Sequence, residues 1–301
     1  MYVIYHSRDL DGQMSAAIVL KHAKENKYHT TIDFIGWDYG DPIPKLEKGR
    51  RIVMCDIAFP IEEMYKLCDL SEGSFVWIDH HASAIKEMLD NDGPAYCKAV
   101  IPKVKTIRGR NKDSLMIEKK GACELTWEYF YPVSKMPLIV RYLGSYDSFR
   151  HKSDENMILY FQYAARAYLT NYKECYNIFE YFEVFEGNYE RWIERGKVIK
   201  LYLNVEAKDI FKTAVDIKID GYNFKAINRQ RFNPNNFDLN YKEEGVMSYY
   251  YKGNGKWEVS LYSDGPDAID VSVLAKKRNG GGHTGAAGFI TDNIEQYLNS
   301  E

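Results

Sequence analysis

The sequence predicts an α/β protein with a mostly parallel sheet in its N-terminal part, a helical connector, and a smaller α+β domain at its C-terminus. Short apolar runs alternate with helical patterns over the first 150 residues, and a long helical region with few breakers follows. After this region, strand patterns are joined by turn signals rich in glycine and asparagine. We therefore predict an N-terminal domain over 1–150, a connector over 151–211 and a C-terminal domain over 212–301.

The N-terminal part contains short apolar strand patterns separated by helical patterns. Strands that alternate with helices indicate βαβ units, so we expect right-handed connections and helices on both faces of the sheet. The strands are predicted at 2–5, 31–36, 51–56 and 75–79, and the helices at 13–24, 61–70, 122–131 and 137–146. The C-terminal strands are predicted at 214–220, 223–228, 245–251 and 256–262, before a helix over 268–277.

Composition and charge exclude some functional classes. The net charge of −3 argues against a protein that coats long nucleic acid by charge alone, whereas a short anionic substrate is compatible with it. No apolar run approaches the roughly 20 residues that span a bilayer, and no signal-peptide pattern occurs, so we expect a cytoplasmic protein. None of the five cysteines stands in a C-x-x-C pair, which disfavours a thiolate zinc site.

Acids and histidines follow three of the four predicted N-terminal strands, and one more acid ends the helix predicted from residue 137. In a parallel sheet the carboxyl ends of the strands lie along one edge, so these side chains should meet in one cleft. The residues are His6, Asp9, Asp11, Asp56, Asp79, His80, His81 and Asp147.

Carboxylates and imidazoles together favour Mn²⁺, and Mg²⁺ as oxygen ligands come to dominate. A set of this size is too large for one tetrahedral zinc. It suits two metal ions that share a carboxylate, the arrangement that promotes phosphoryl transfer to water. The residues therefore predict hydrolysis of a phosphoester or phosphoanhydride.

Single members of this set also have structural explanations. Asp11, just before Gly12, could cap the helix predicted from residue 13, and His6 could be a satisfied core histidine. Turn chemistry does not readily explain acids and histidines after three separate strands. We therefore favour a functional site for the set as a whole.

The N-terminal motifs resemble those of a known family. "HSRDLDG", Asp56 in "CD", "IDHH" and Asp147 in "GSYDSF" are similar to the four motifs of the DHH phosphoesterases. That family includes RecJ exonucleases, nanoRNases, enzymes that cleave linear or cyclic dinucleotides, and manganese-dependent pyrophosphatases. "NGGGHTGAAGF" (279–289) also resembles the glycine-rich motif of the DHH-associated C-terminal domain.

The resemblance implies two divalent metal ions, with Asp56 as the carboxylate that bridges them. It also implies that Asp79 orients a ligand imidazole and that His81 faces the scissile phosphate. The remaining implied ligands are His6 and Asp9 for one ion, and Asp11, His80 and Asp147 for the other.

The glycine-rich motif has a physical interpretation of its own. Glycines lack a Cβ atom, so their backbone N–H groups can approach an anion closely, and a histidine can add a hydrogen bond. The alternative is a loop that only needs positive φ angles. We favour substrate phosphate binding by Gly280, Gly281, Gly282 and His283.

Two basic features are open to more than one interpretation. Members of the DHH family often carry a phosphate-binding arginine at a position where this chain has Asp264. Arg278 could bind substrate in place of that arginine, or it could be a positive charge at a helix end. The basic stretch 103–113 lacks interleaved aromatic residues, so we favour a solvated loop over a nucleic-acid track.

We therefore predict a metal-dependent phosphodiesterase that cuts short oligonucleotides or dinucleotides to mononucleotides, with no membrane partner. Hydrolysis of pyrophosphate or short polyphosphate is one alternative, and a sensor that binds a nucleotide without cleaving it is another. Assembly into a homo-oligomer is left open.

Overall fold

The computed structural model divides into two compact units, Met1–Ile199 and Lys200–Glu301. The three-part domain division remains a prediction. The described residues are 1–91, 98–107, 114–117, 119–150, 157–184, 187–230, 232–237, 239, 241–264 and 268–298.

The first unit is built on a five-stranded sheet in which every neighbouring pair is parallel. The strand order is β2-β1-β3-β4-β5, so the chain reverses its direction of travel across the sheet between β1 and β3. Such a switch point opens a crevice at the carboxyl ends of the two strands. The strands are β1 Tyr2–His6, β2 Asp33–Trp37, β3 Ile52–Cys55, β4 Phe75–Ile78 and β5 Lys98–Val100.

Helices cover both faces of this sheet, as the sequence predicts. Alternate residues of each central strand enter opposite cores: Val3 packs with the core of α1, α4 and α5, and Ile4 packs with that of α2 and α3. A two-stranded antiparallel pair, β6 Val104–Ile107 with β7 Ser114–Ile117, accompanies the sheet. The helices are α1 Leu10–Glu25, α2 Ile61–Leu70, α3 Ala82–Asp90, α4 Ala122–Phe130, α5 Leu138–Asp147, α6 Met157–Tyr168, α7 Tyr172–Val184 and α8 Asn188–Phe211, the last of which runs into the second unit.

The second unit is a six-stranded mixed sheet in the order β12-β13-β11-β10-β9-β8, where β9 and β10 pair in parallel. Its core gathers apolar residues from the strands and from α9, including Phe224, Leu261 and Leu274. The predicted α/β fold with a smaller α+β unit is confirmed. The elements are β8 Val215–Ile219, β9 Tyr222–Asn228, β10 Gly245–Gly253, β11 Lys256–Tyr262, α9 Val271–Lys276, β12 Gly281–His283, β13 Ala286–Thr291 and α10 Glu295–Leu298.

Three local features add to or differ from the predictions. The glycine-rich segment, for which a loop was the alternative to a phosphate-binding motif, contains the short edge strand β12. The basic stretch predicted as a loop contains β6, and its residues 108–113 lie outside the described part of the chain. The long helical region divides into α6, α7 and α8. Within the described part of the chain, every helix is too short or too polar to cross a bilayer.

Helix α1 begins at Leu10, three residues before the predicted start, because Asp9 caps it. The Asp9 carboxylate accepts a hydrogen bond from the Gly12 backbone nitrogen at 2.9 Å. Gly12 also permits a close approach, since a Cβ atom there would lie 2.2 Å from the His6 carbonyl oxygen. The first turn of α1 is thereby held against the end of β1.

We expect Gly12→Ala to lower the free energy of unfolding by about 1–3 kcal/mol, the usual cost of forcing an extra methyl group into a packed site. Alanine normally favours a helix over glycine, so a loss of stability would be specific to this contact. Urea unfolding measures the effect, with the exposed α5 residue Arg141 replaced by alanine as control. A Gly12→Ala variant as stable as the wild type would contradict the close approach.

Candidate metal centre

The predicted acids and histidines converge at the switch point of the parallel sheet. His6 is the last residue of β1, Asp56 directly follows β3, and Asp79 directly follows β4. These three strands are neighbours in the sheet, so their carboxyl ends lie side by side. Convergence of the three strand ends, expected from the sequence, is therefore observed.

The first group of side chains consists of His6, Asp9 and Asp56, whose donor atoms all lie within 4.8 Å of one another. The Nδ1 atom of His6 lies 2.5 Å from Asp9 Oδ2 and 3.5 Å from Asp56 Oδ2. Asp9 uses its two oxygens differently, because Oδ1 caps α1 while Oδ2 faces His6.

The second group consists of Asp11, Asp56, His80 and Asp147, again with donor atoms within 4.8 Å of one another. The Nε2 atom of His80 lies 3.5 Å from Asp11 Oδ2, 3.2 Å from Asp56 Oδ1 and 3.0 Å from Asp147 Oδ2. Asp147 is the last residue of α5. Asp56 is common to both groups and presents a different oxygen to each.

Asp56 is the most constrained member of the centre. It is 0% exposed, and neither of its carboxylate oxygens accepts a well-formed hydrogen bond from the described residues. Its φ angle of 62° lies in the left-handed region, where its backbone nitrogen donates to the Ile78 carbonyl oxygen at 2.8 Å. A buried carboxylate without donors is unfavourable unless a cation lies beside it. The oxygen-rich donor set therefore fits Mn²⁺ or Mg²⁺.

Asp11 is held by the N-terminus of a helix distant in sequence. Its Oδ2 accepts from the Ala122 backbone nitrogen at 2.6 Å, and its Oδ1 accepts from that of Cys123 at 2.9 Å. The position of Asp11 before Gly12 suggested a cap for α1, whereas the carboxylate binds the first turn of α4. The positive end of that helix favours the negative charge and fixes the direction of the carboxylate.

Two glycines allow this arrangement of α4 and α5. A Cβ atom on Gly121 would lie 2.4 Å from the Gly144 Cα atom and 3.1 Å from Asp11 Oδ1. A Cβ atom on Gly144 would lie 2.7 Å from the Glu124 side chain. The close contact brings Asp147, at the end of α5, beside Asp11 at the start of α1.

The electrostatics of the centre follow from this crowding. Burial and the charges of neighbouring carboxylates raise the pKa of both Asp11 and Asp56. Burial alone would lower the pKa of His6 and His80, but the surrounding carboxylates raise both well above the usual value. Without another cation, the crowding thus favours protons on Asp11, Asp56 and the two histidines, whereas the adjacent His6 lowers the pKa of Asp9 against the effect of burial.

Asp79 and His81 form a separate pair at the edge of this centre. Asp79 Oδ1 lies 2.8 Å from His81 Nδ1 and accepts the backbone N–H groups of His80 and His81 at 2.7 and 3.1 Å. Burial opposes ionisation of Asp79, yet the adjacent His81 lowers its pKa. The motif resemblance implies that Asp79 orients a ligand imidazole, and the imidazole in contact with it is that of His81.

Asp38 is a site residue that the sequence analysis missed. Its Oδ1 lies 3.4 Å from His6 Nε2, and its Oδ2 accepts from Arg8 Nη1 at 3.1 Å. Burial opposes the change, but His6 and Arg8 lower the pKa of Asp38 to about 2. Asp38 directly follows β2, just as the other site acids follow their strands, and this position could have identified it. The predicted strand ended at residue 36, one residue before Trp37, so Asp38 did not stand at its end.

In the second unit, two glycines of the glycine-rich motif allow tight packing of a hairpin. A Cβ atom on Gly280 would lie 2.0 Å from the Gly288 carbonyl oxygen, and one on Gly282, where φ is 136°, would lie 2.6 Å from that of Ala286. Gly281, Gly282 and His283 form β12, which pairs with β13. These contacts give the glycines a structural role, and phosphate binding by this motif remains a prediction.

Arg278 matches the helix-end interpretation. Its guanidinium donates to the Leu274 carbonyl oxygen of α9 at 2.8 Å and to Asp220 Oδ1 at 2.7 Å. It also lies 5.6 Å from the ring centroid of Phe289 and 5.4 Å from that of Tyr297. These partners occupy the side chain within its own unit, so we do not assign it to substrate.

The fold and the centre together define a class: an α/β protein with a cluster of carboxylates and imidazoles at the switch point of a parallel sheet, similar to the DHH phosphoesterases. No protein-family model matches the chain. A curated relative is "Uncharacterized protein R106" of Acanthamoeba polyphaga mimivirus, to which the chain is 22% identical over 325 residues, covering 98% of this chain and 68% of the relative.

Similar solved structures include a pGpG-specific phosphodiesterase, PggH from Vibrio, with a TM-score of 0.44 and 12% identity over 98% of this chain and 94% of that one. RecJ from Thermus thermophilus in complex with Mn²⁺ has a TM-score of 0.44 and 12% identity, and the match covers 96% of this chain and 49% of RecJ. An exonuclease RecJ bound to manganese has a TM-score of 0.40 and 13% identity over 96% of this chain and 84% of that one.

We expect Mn²⁺ to raise the Tm of the wild-type protein, because a ligand at about 100 times its Kd stabilises by about 2.7 kcal/mol. Asp56→Asn should abolish this rise, because it removes the carboxylate that both groups of ligand-type side chains share. Asparagine tolerates positive φ, so the backbone is preserved. Differential scanning fluorimetry measures both effects.

The exposed α2 residue Asp69 offers a matched control, since Asp69→Asn makes the same chemical change outside the centre. It should leave both the Tm in EDTA and the response to Mn²⁺ unchanged. An Asp56→Asn variant that keeps the wild-type response to Mn²⁺ would exclude Asp56 as a metal ligand.

Proposed function

We propose that the protein is a metal-dependent phosphodiesterase of the DHH type that hydrolyses short oligonucleotides or dinucleotides to mononucleotides. The observation that carries this proposal is the sharing of Asp56 between two groups of ligand-type side chains. A carboxylate shared in this way is the hallmark of centres that hold two metal ions for phosphoryl transfer. A cytoplasmic location likewise remains a prediction.

The two groups divide the metal ligands. His6 and Asp9 would hold one ion with Asp56, and Asp11, His80 and Asp147 would hold the other with Asp56. When bound, the two ions would increase the acidity of the attacking water and neutralise charge on the phosphate. Mn²⁺ fits the mixture of imidazole and carboxylate, and Mg²⁺ is the alternative.

Supporting residues would fix the ligands before any substrate arrives. The N-terminus of α4 directs the Asp11 carboxylate, and the α1 cap leaves Asp9 Oδ2 as the oxygen that faces His6. Asp38 lies at the other nitrogen of the His6 ring. Partners of this kind orient metal-binding histidines and preserve the geometry of the centre.

His81 is the group we assign to the substrate. Because Asp79 contacts its Nδ1, Nε2 is the ring nitrogen that would meet the phosphate or the leaving oxygen. The Asp79 carboxylate favours the protonated imidazole, since it raises the pKa of His81 against the effect of burial. A protonated His81 can donate a hydrogen bond or a proton to the leaving oxygen.

Hydrolysis assays with Mn²⁺ test the substrate class. The panel consists of RNA and DNA di- to pentamers, linear and cyclic dinucleotides, 3′-phosphoadenosine 5′-phosphate and pyrophosphate. We expect mononucleotide release from the short oligomers, lost in Asp56→Asn and retained in the control Asp69→Asn. Cleavage of pyrophosphate alone would replace the proposed substrate class, and tight nucleotide binding without turnover would favour a sensor.

The two adjacent histidines should give unequal variants. We expect His80→Ala to weaken metal binding by at least about 10- to 100-fold, because it removes a ligand. His81→Ala should retain metal binding and lower kcat by about 10²- to 10⁴-fold, the usual contribution of a positioned acid. Metal titration and steady-state kinetics separate these effects, and equal loss of metal in both variants would refute the division of roles.

A further inference from the structure

Tyr39 is an exposed aromatic residue beside the candidate metal centre. Its ring centroid lies 6.2 Å from that of His6 and 5.6 Å from that of Trp37. Trp37 is buried and packs against Phe59, whereas Tyr39 is 46% exposed. The exposed tyrosine therefore lies next to a proposed metal ligand and is backed by a buried aromatic pair.

The turn that carries Tyr39 is well determined by hydrogen bonds. The backbone nitrogen of Tyr39 donates to Asp38 Oδ1 at 2.8 Å, and that of Asp38 donates to Asp41 Oδ2 at 3.0 Å. The Trp37 indole donates to the Pro42 carbonyl oxygen at 3.2 Å. A ring held in place before binding loses little conformational freedom when a ligand stacks on it.

The space beside the turn is open on at least one side. Apart from its two chain neighbours, no described residue has an atom within 4 Å of a Cβ atom built on Gly40, where φ is 95°. Single exposed tyrosines are ordinary surface features. What distinguishes Tyr39 is the contact of its ring with the ring of His6. The Nδ1 atom of His6 faces Asp9 and Asp56 of the candidate metal centre.

The charges around Tyr39 indicate which part of a substrate it would contact. Asp38 and Asp41 flank the ring in the chain, and the Arg8 guanidinium beside them already donates to Asp38 Oδ2, so the turn carries more negative than positive charge and would repel a phosphate group. A nucleobase carries no net charge and presents a flat π face, and stacking on an aromatic side chain tolerates any base. The surroundings therefore favour a base over a phosphate.

We propose that Tyr39 is the platform on which a base of the bound nucleotide stacks, while the neighbouring metal centre holds the phosphate. This inference depends on the proposed function and extends it, because it makes the base a recognised part of the substrate. It also makes the enzyme selective for nucleotides over phosphoanhydrides that lack a base.

Equilibrium binding of AMP and of inorganic phosphate, both in the presence of Mn²⁺, tests the proposal with Tyr39→Ala, Tyr39→Phe and Tyr39→Trp. Loss of one base stack should weaken AMP binding by roughly 5- to 150-fold in Tyr39→Ala and leave phosphate binding unchanged. The phenylalanine and tryptophan variants should retain AMP binding, because both keep an aromatic face. For a dinucleotide substrate, Tyr39→Ala should raise KM with little effect on kcat.

Tyr168 provides a matched control, because it is 47% exposed and contacts Trp192 and Arg195 of α8. Tyr168→Ala should bind AMP as the wild type does. Wild-type affinity for AMP in Tyr39→Ala, or an equal loss for AMP and phosphate, would overturn the platform even if the enzyme cleaves oligonucleotides. A wild-type protein that neither binds nor cleaves nucleotides would overturn the proposed function itself.

Discussion

The buried carboxylate of Asp56 is the constraint on which the arrangement of the site depends. A charged group taken out of water loses several kcal/mol of solvation unless opposite charge or hydrogen-bond donors replace the water. Asp56 has neither oxygen in a well-formed hydrogen bond within the described residues, and burial together with the charge of Asp9 raises its pKa. The imidazoles of His6 and His80 compensate in part, at 3.5 and 3.2 Å. A pair of cations would resolve the remaining imbalance.

The backbone around this carboxylate is shaped at some cost to stability. Asp56 itself adopts a positive φ, a conformation that costs roughly 1–3 kcal/mol when a non-glycine residue is held in it. Gly12 lets α1 approach the end of β1, and Gly121 and Gly144 let α4 and α5 approach each other. Each of these features brings a ligand-type side chain towards Asp56. The positive φ of Asp56 and the close approaches at the three glycines therefore serve to place these side chains together.

The sequence predicted the sheet and most of the centre because both depend on short-range patterns. Apolar runs located β1 to β4 and β8 to β11 within two residues, and acids after β1, β3 and β4 had to share one sheet edge. The short strands β5, β6, β7, β12 and β13 were not predicted. Contacts between distant segments were not accessible in this way. Neither the binding of Asp11 to the N-terminus of α4 nor the pairing of Arg278 with Asp220 leaves a periodic signal. Asp38 was missed because a one-residue error at the end of β2 hid its place in the strand-end pattern.

Recognition of the substrate requires more than the metal centre. Two cations held by carboxylates and imidazoles would polarise any phosphate ester or anhydride, so the centre alone does not distinguish a dinucleotide from pyrophosphate. Discrimination must come from groups that contact the rest of the substrate, since specificity is a difference between two affinities. Under the proposed function, the turn after β2 would provide such groups, because it places an acid at the His6 ring and an exposed tyrosine beside it. An anhydride without a base would meet only the acidic side of this turn, whereas a nucleotide would also gain the stacking surface.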